Sequence, residues 1–249
     1  LGLDTETTGL DLWHGCRPFY VSSCNDDGKL RCWQWDVNPE TREPVNPPKE
    51  IAAIQKFIEE QQGDVDDYEM DIRSLVFHND KFDIRALSMV GVKIDWKHVQ
   101  DTLIASHLLA SGESHKLKDL ALKVLDITDE DQQALRETVN EARRIGKQLG
   151  WRIANEGDPH FPAQKRPKDG WWVMDMWLPR AVAKHQKLPK KHKFWTVLED
   201  YANTDAERTI ALWQAMEEAI EEQGHTDLYY TRLKLLPVTY DMETHGATA

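Results

Sequence analysis

The chain begins Leu1-Gly2-Leu3-Asp4-Thr5-Glu6-Thr7-Thr8-Gly9, and this stretch decides the fold. Its apolar start predicts a β-strand, in which Asp4 and Glu6 point to one face while Leu3 and Thr5 point to the other. Two carboxylates on one face at the end of a strand suit a divalent cation, which prefers oxygen ligands. An isolated Asp-x-Glu pair is also compatible with a solvated strand edge, because charged side chains are mostly exposed.

Strand and helix patterns alternate beyond this first strand. Segments 19–24 and 30–37, separated by Asn25-Asp26-Asp27-Gly28, predict a hairpin, and 75–77 and 99–101 predict further strands. Apolar residues at helical spacing predict helices over about 51–58, 81–89, 102–109, 116–124, 195–222 and 228–243. This alternation predicts an α/β fold with helices packed against a sheet.

The composition excludes several classes of protein. No apolar run in the 249 residues approaches the ~18–20 residues that a membrane-spanning helix needs, so we expect a soluble globular protein. The net charge of −12 argues against non-specific wrapping of duplex DNA but permits a local nucleic-acid site. Cys16, Cys24 and Cys32 form no CxxC pair and are odd in number, so we expect a reducing compartment, without a disulfide framework or a zinc cage.

The pattern changes between about 128 and 193. A polar helix is predicted at 129–149, and Trp171, Trp172 and Trp177 then lie in a segment with weak periodicity. We interpret 128–193 as an insertion on the domain. Tryptophans in such a segment more often pack than serve as platforms for bases, so packing is the favoured interpretation.

Two further groups of polar residues follow predicted elements. Asn79 and Asp83, four apart after the strand 75–77, share one face if the helix begins at Asn79; alternatively Asn79 is a helix cap and Asp83 an acid of the first turn. Tyr201 and Asp205, also four apart, face one direction on the long helix, although a core tyrosine and a solvated acid would have the same spacing. The order and context of the three groups bring their acids toward one end of a sheet.

Together these groups resemble the three exonuclease motifs of the DEDD family of 3′-5′ exonucleases. They supply Asp4-Thr5-Glu6, then Asn79-x-x-x-Phe82-Asp83, then Tyr201-x-x-x-Asp205. The histidine subgroup places His five residues before the last Asp, where this chain has Asp200, so the match is to the tyrosine subgroup. The resemblance implies a ribonuclease H-like mixed β-sheet flanked by helices, here with a Trp-rich insertion.

A closer resemblance is to the proofreading exonuclease domain of family A, or polymerase I type, DNA polymerases. It is carried by Asp101-Thr102-Leu103, by Leu117-Lys118-Asp119-Leu120-Ala121, and by 233–246, which looks like the opening of a polymerase portion. We therefore expect an exonuclease domain over 1–224, a truncated helical start of a polymerase region over 225–249, and a longer parent protein. The insertion is longer than the resemblance predicts.

The resemblance also implies a role for each motif residue. Two divalent cations, Mg²⁺ or Mn²⁺, would catalyse hydrolysis of the phosphodiester bond by water, which releases nucleoside monophosphates. Asp4 would bridge both ions, Glu6 and Asp205 would complete the nucleophile-side site, and Asp83 would hold the other ion. Tyr201 would orient the attacking water.

Substrate contacts are implied at three further positions. The apolar side chain of Leu10 would wedge against the terminal base, the backbone N–H of Thr7 would approach the 3′ end, and Asn79 would contact the substrate. Leu10 could equally be an ordinary core leucine. Such a site accepts single-stranded or frayed ends, because a paired end must first be unstacked.

We therefore expect a metal-dependent 3′-5′ exodeoxyribonuclease that acts in proofreading, in the cytoplasm of a bacterial or phage-infected cell. Its partners would be a single-stranded DNA 3′ end and the polymerase region of the same parent chain, without a membrane. Two alternatives stay open: a 3′-5′ exoribonuclease of the same subgroup, and a catalytically inactive nucleic-acid-binding module, which the fold also supports.

Overall fold

The first strand, β1 (Gly2–Thr7), lies in the centre of a five-stranded sheet in the computed structural model. The structure describes residues 1–14, 16–37, 44–45, 47–62, 74–150 and 172–246, without the side chains of 14 and 172–176. The other strands of the sheet are β2 (Pro18–Cys24), β3 (Leu30–Gln34), β6 (Leu75–Phe77) and β7 (Val99–Asp101), in the spatial order β3-β2-β1-β6-β7. Two-residue strands β4 (Asp36–Val37) and β5 (Pro44–Val45) pair separately.

The sheet is mixed, because strand direction changes at β1. This strand pairs antiparallel with β2 and parallel with β6, which in turn pairs parallel with β7. The β2–β3 pair is the predicted hairpin. The predicted α/β class, a mixed sheet flanked by helices, is confirmed.

Nine α-helices lie within the described part of the chain. They are α1 (Pro48–Gln62), α2 (Asp80–Met89), α3 (Thr102–Leu109), α4 (Leu117–Leu125), α5 (Glu130–Gln148), α6 (Trp172–His185), α7 (Lys193–Glu222), α8 (Thr226–Leu233) and α9 (Leu236–His245). Asp101 caps α3 as predicted, because its Oδ1 accepts the backbone N–H of Ile104 at 2.9 Å.

Two helix boundaries differ from the sequence-based prediction. The segment predicted as one helix over 228–243 forms α8 and α9, since Pro237 lies in the first turn of α9 and cannot continue a helix. The second difference is small, since α2, predicted from about residue 81, begins at Asp80. Asn79 precedes it in a left-handed conformation with φ 75°, so the shared helical face of Asn79 and Asp83 is not formed.

Apolar side chains from β1, β2, β6, α1 and α5 form the largest core cluster, which Leu3 enters from β1. Trp177 of α6 packs against this cluster, in agreement with the packing interpretation. Trp171 and the side chain of Trp172 lie outside the described residues. A smaller cluster joins α5, α6 and the start of α7 through Ala142, Val182 and Phe194.

Helix α7 covers the face of β1 that carries the acids. A Cβ built on Gly2 would lie 2.5 Å from the carbonyl oxygen of Ala206 and 3.0 Å from the backbone nitrogen of Ile210. Beside it, the Ser22 hydroxyl of β2 donates a hydrogen bond of 2.8 Å to the carbonyl oxygen of Ala202. The missing side chain at Gly2 therefore lets the backbone of α7 approach the sheet directly.

Replacing Gly2 with alanine should destabilise the protein by about 1–3 kcal/mol, because the new methyl group meets backbone atoms that move only with the whole helix. The free energy of unfolding, measured in urea, checks this expectation. Gly112→Ala is the matched control, since a Cβ there meets nothing within 4 Å. Equal stability of the two variants would contradict close packing of α7 on β1.

Candidate active site

Strand β1 presents Asp4 and Glu6 on one face, as the alternation predicted. On the neighbouring strand β2, Asp4 is paired with Ser22, and Glu6 is paired with Tyr20. Both acids are partly buried, whereas the residues next to them in the strand are buried. The register of the β1–β2 pair shifts between Glu6 and Thr7. The acids therefore occupy the last regular part of the strand.

Asp83 enters the site from the first turn of α2. It is 4% exposed, and its Oδ1 accepts hydrogen bonds from the Thr5 hydroxyl at 2.5 Å and the Thr5 backbone N–H at 3.1 Å. Because Thr5 lies between Asp4 and Glu6 in the chain, these bonds tie Asp83 to the strand that carries the other two acids.

Helix α7 supplies Tyr201 and Asp205, one turn apart. Asp205 is 6% exposed and its Oδ1 accepts a hydrogen bond of 2.8 Å from Arg208, while Tyr201 is partly buried. The pKa of the Tyr201 hydroxyl is raised by burial and then by the negative charges of Glu6, Asp205 and Asp4. Tyr201 is therefore a protonated hydroxyl facing an acidic site.

All four carboxyl groups have raised pKa values. Burial is the largest cause for each; it raises the pKa of Glu6 to about 8 and that of Asp83 to about 7. The pKa of Asp4 is also raised well above its ordinary value, by burial and then by the charges of Glu6, Asp83 and Asp205. The pKa of Asp205 is raised by burial against the opposing effect of two cations, Lys118 and Arg208. Because the charges of Glu6, Asp83 and Asp205 all raise the pKa of Asp4, the four acids share one electrostatic site.

The chemistry of this donor set fits divalent cations. Four carboxyl groups with raised pKa values concentrate negative charge in one place, and hard cations such as Mg²⁺ and Mn²⁺ prefer oxygen ligands. In the part of the chain that the structure describes, no three acidic, histidine or cysteine side chains are already spaced to hold a metal ion. Two of the acids are instead held by protein partners, Asp83 by Thr5 and Asp205 by Arg208.

The three predicted substrate contacts lie in different surroundings. Leu10 is 67% exposed, so the alternative of an ordinary core leucine is wrong. Thr7 is buried, and its hydroxyl donates a hydrogen bond to the carbonyl oxygen of Gly9 at 2.9 Å. Asn79 is exposed and occupies the N-cap position of α2, as one alternative predicted, but its side chain makes no capping hydrogen bond.

Sequence reasoning missed two basic residues at the site. The Nζ of Lys118 on α4 lies 3.6 Å from Oδ2 of Asp205 and 3.8 Å from the centre of the Tyr201 ring. Arg208 is 1% exposed and pairs with Asp205 and with Asp131 of α5. The spacing of Asp205 and Arg208, three apart on a helix, was a signal for their pair. Lys118 belongs to the segment 117–121, which carries part of the family resemblance, but no local sequence pattern connects it with α7.

Trp13 is a further aromatic residue that the sequence reasoning did not single out. It lies three residues after Leu10, in a 3₁₀ turn over Leu12–His14, and the residue is 52% exposed. The Arg85 guanidinium lies 4.2 Å from the centre of that ring and 4.7 Å from the ring of Tyr240. Arg85 is two residues after Asp83, so these contacts place the exposed ring beside α2.

Comparisons with known proteins agree with this geometry. Residues 68–149, which include α2, α4 and α5, match a family model described as 3′-5′ exonuclease. The predicted resemblance to 3′-5′ exonucleases is confirmed. The chain is also 25% identical over 252 residues to the DNA polymerase DpoZ of Salmonella phage PMBT28, a match that covers 99% of this chain and 31% of the polymerase. The chain thus spans about a third of that relative's length.

Solved structures with the same fold include nucleases. Brucella melitensis NrnC with bound Mg²⁺ superposes with a TM-score of 0.53 at 19% identity, over 98% of this chain and 84% of that one. NrnC bound to pGG gives a TM-score of 0.55 at 19% identity, with the same coverage. A structure described as the apo form of the nuclease gives 0.56 at 18% identity, over 99% and 86%. The predicted ribonuclease H-like fold of this chain is therefore shared with these solved structures.

The raised pKa values predict how stability depends on pH. Carboxyl groups titrate near pH 4 in the unfolded chain, whereas those of the site titrate up to about pH 8 in the folded chain. Between these values the folded chain therefore binds more protons than the unfolded chain. The free energy of unfolding without metal should therefore fall from about pH 5 to about pH 8. Denaturation in EDTA measures it.

Asp83→Asn removes one of the titrating groups and should make this fall shallower. Added Mn²⁺ should increase the melting temperature more at the high end of the range, because it binds the ionised acids. Stability that rises with pH over this interval would contradict the shared acidic site.

Proposed function

We propose that the chain is a metal-dependent 3′-5′ exonuclease of the DEDD tyrosine subgroup that shortens single-stranded or frayed DNA and releases nucleoside monophosphates. The observation that carries this proposal is the convergence of Asp4 and Glu6 from β1, Asp83 from α2 and Asp205 from α7, all with raised pKa values. The family match supports a nuclease, and the NrnC structure with bound Mg²⁺ supports a divalent metal.

Asp4, Glu6, Asp83 and Asp205 would hold two divalent cations, Mg²⁺ or Mn²⁺. Such ions supply an activated water and stabilise charge on the attacking and leaving oxygens. The charges of Glu6, Asp83 and Asp205 all act on Asp4, which would suit it to share both ions. The charge of Asp205 raises the pKa of Glu6, and both charges raise the pKa of Tyr201, so these three residues lie on one side of the site.

The Tyr201 hydroxyl orients the attacking water. It stays protonated because burial and the surrounding carboxylates raise its pKa, so it donates a hydrogen bond rather than accepting a proton. Its position one helical turn from Asp205 places the hydroxyl and the carboxylate on the same side of α7. Tyr201→Phe should therefore reduce turnover while leaving the acids in place.

Substrate binding uses few contacts, which suits a chain with a net charge of −12. The exposed side chain of Leu10 packs against the terminal base, and Thr7 and Asn79 contact the 3′-terminal nucleotide. Apolar packing on a base is tolerant of sequence, as removal of any mismatched nucleotide requires. A frayed end reaches the site more readily than a paired end because unstacking costs a few kcal/mol.

The domain division also belongs to this proposal. Residues 1–224 form the exonuclease domain, with 128–193 as an insertion, and 225–249 begin a polymerase region of the same parent chain. The similarity to a phage DNA polymerase supports a proofreading role in a bacterial or phage-infected cytoplasm. No helix in the described ranges is both long and apolar enough to cross a bilayer.

Loss of either Asp4 or Asp205 should abolish the activity. The test uses 5′-labelled single-stranded DNA with Mg²⁺ or Mn²⁺, and Asp4→Ala and Asp205→Ala should each lower the rate of 3′ shortening by about a thousandfold or more. Each ion contributes several kcal/mol, and ~1.4 kcal/mol is tenfold in rate. Asp26→Ala, in the exposed hairpin turn, should retain the wild-type rate. Unchanged rates in both site variants would reject the proposal.

Parallel reactions on DNA and RNA oligonucleotides of one sequence separate the remaining possibilities. Faster shortening of DNA supports the deoxyribonuclease, and faster shortening of RNA makes the chain an exoribonuclease of the same subgroup. Metal-dependent binding without shortening of either strand identifies an inactive nucleic-acid-binding module.

Leu10→Ala tests the contact with the terminal base. Because Leu10 is 67% exposed, the variant should fold normally while its rate on dilute single-stranded DNA falls by about tenfold, the loss of ~1–2 kcal/mol of apolar contact. Leu122→Ala is the control, since Leu122 of α4 is exposed to a similar extent, 53%. A Leu10 variant as fast as the control would remove this residue from the substrate site.

A further inference from the structure

Lys118 of α4 points its ammonium group into the candidate active site. Its side chain is 16% exposed, and the Nζ lies 3.6 Å from Oδ2 of Asp205 and 3.8 Å from Oδ2 of Asp131. The same Nζ lies 3.8 Å from the centre of the Tyr201 ring. Among the described residues this buried Nζ has ionic and ring contacts but no hydrogen-bond acceptor within reach. Lys118 is therefore attracted to the site by charge without being fixed by a directional bond.

Arg208 is held much more firmly. Its Nη1 donates to Oδ1 of Asp205 at 2.8 Å and to Oδ2 of Asp131 at 2.9 Å. Its Nη2 donates to Oδ1 of Asp131 at 2.5 Å and to the carbonyl oxygen of Thr128 at 2.6 Å. Arg208 therefore fixes Oδ1 of Asp205, and Oδ2 of the same carboxylate is the oxygen that faces Lys118.

Asp131 offers Lys118 a second carboxylate at nearly the same distance. The two Nζ–Oδ2 distances differ by only 0.2 Å, 3.6 Å to Asp205 and 3.8 Å to Asp131. A cation at Oδ2 of Asp205 would repel the ammonium group, and a small shift toward Asp131 would relieve that repulsion. The charge on Asp205 and the charge on Asp131 thus compete for one lysine.

We propose that Lys118 is a positioning residue that takes the place of a divalent cation beside Asp205 in the metal-free protein and moves to Asp131 when the cation binds. The inference rests on the proposed function, since it takes Asp205 as a metal ligand. It follows that Lys118 weakens metal binding, whereas Asp131 strengthens it by drawing Lys118 away. The lowering effect of Lys118 on the pKa of Asp4, Glu6 and Asp205 is consistent with this position.

The test measures Mn²⁺ binding to the full chain by calorimetry, without nucleic acid. Lys118→Met, which keeps the length of the side chain but removes its charge, should bind Mn²⁺ about tenfold more tightly, a change within the range of coupling between charged sites. Asp131→Asn should bind Mn²⁺ more weakly, because both basic residues then turn to Asp205. Lys118→Arg keeps the charge and should stay close to wild type.

Lys123→Met is the matched control on the same helix. Lys123 is exposed and pairs with Glu113, away from the site, so its loss should leave Mn²⁺ affinity unchanged. Circular dichroism verifies that each variant is folded, and its melting temperature with and without Mn²⁺ gives a second readout. The Lys118→Met protein should be less stable without metal and gain more from Mn²⁺.

Opposite effects of the Lys118→Met and Asp131→Asn substitutions are the decisive result. If Lys118 and Asp131 only hold α4, α5 and α7 together, both variants should bind Mn²⁺ more weakly, and that outcome overturns the inference. So does wild-type affinity in the Lys118→Met protein. A wild-type chain that does not bind Mn²⁺ would instead reject the proposed function itself.

Discussion

Repulsion among Asp4, Glu6, Asp83 and Asp205 is the constraint on which the arrangement of this site depends. Each carboxyl group is partly or fully buried, and ionising all four in one place costs free energy that a folded chain must offset. The structure offsets part of it locally. Thr5 donates two hydrogen bonds to Asp83, and Arg208 donates one to Asp205. These hydrogen bonds leave negative charge between β1 and α7 that they do not balance.

That charge is concentrated because α7 lies directly on β1. At Gly2 the helix backbone occupies the space of a side chain, so the next two residues on that face, Asp4 and Glu6, extend beside Tyr201 and Asp205. A larger residue at Gly2 would separate the strand from the helix. The apolar packing on the other face of β1, which includes Leu3, keeps the strand in place against the repulsion. Core packing and the charge of the candidate site are therefore set by the same six-residue strand.

Much of this arrangement could be predicted from local sequence, because the determining patterns are short. The alternation in β1, the strand 75–77 and the cap at Asp101 each depend on residues within one element. The start of α2 was predicted to within one residue, but no local pattern predicted the left-handed conformation of Asn79 that precedes it. Lys118 was missed for a different reason. It meets Asp205 across 87 positions of sequence, and only the packing of α4 on α7 brings the two charges together.

Helix α5 changes how the predicted insertion should be understood. The sequence suggested an insertion on the domain, and the first turn of α5 within it contributes Asp131, which pairs with Arg208 and lies 3.8 Å from Lys118. The network contains two acids, Asp131 and Asp205, and two bases, so its formal charge is balanced. Removing the acid of α5 would leave two positive charges beside a single carboxylate. Since those bases oppose a metal cation at Asp205, Asp131 determines how much negative charge Asp205 offers. Helix α5 is therefore coupled to the site through the charges and hydrogen bonds of this network.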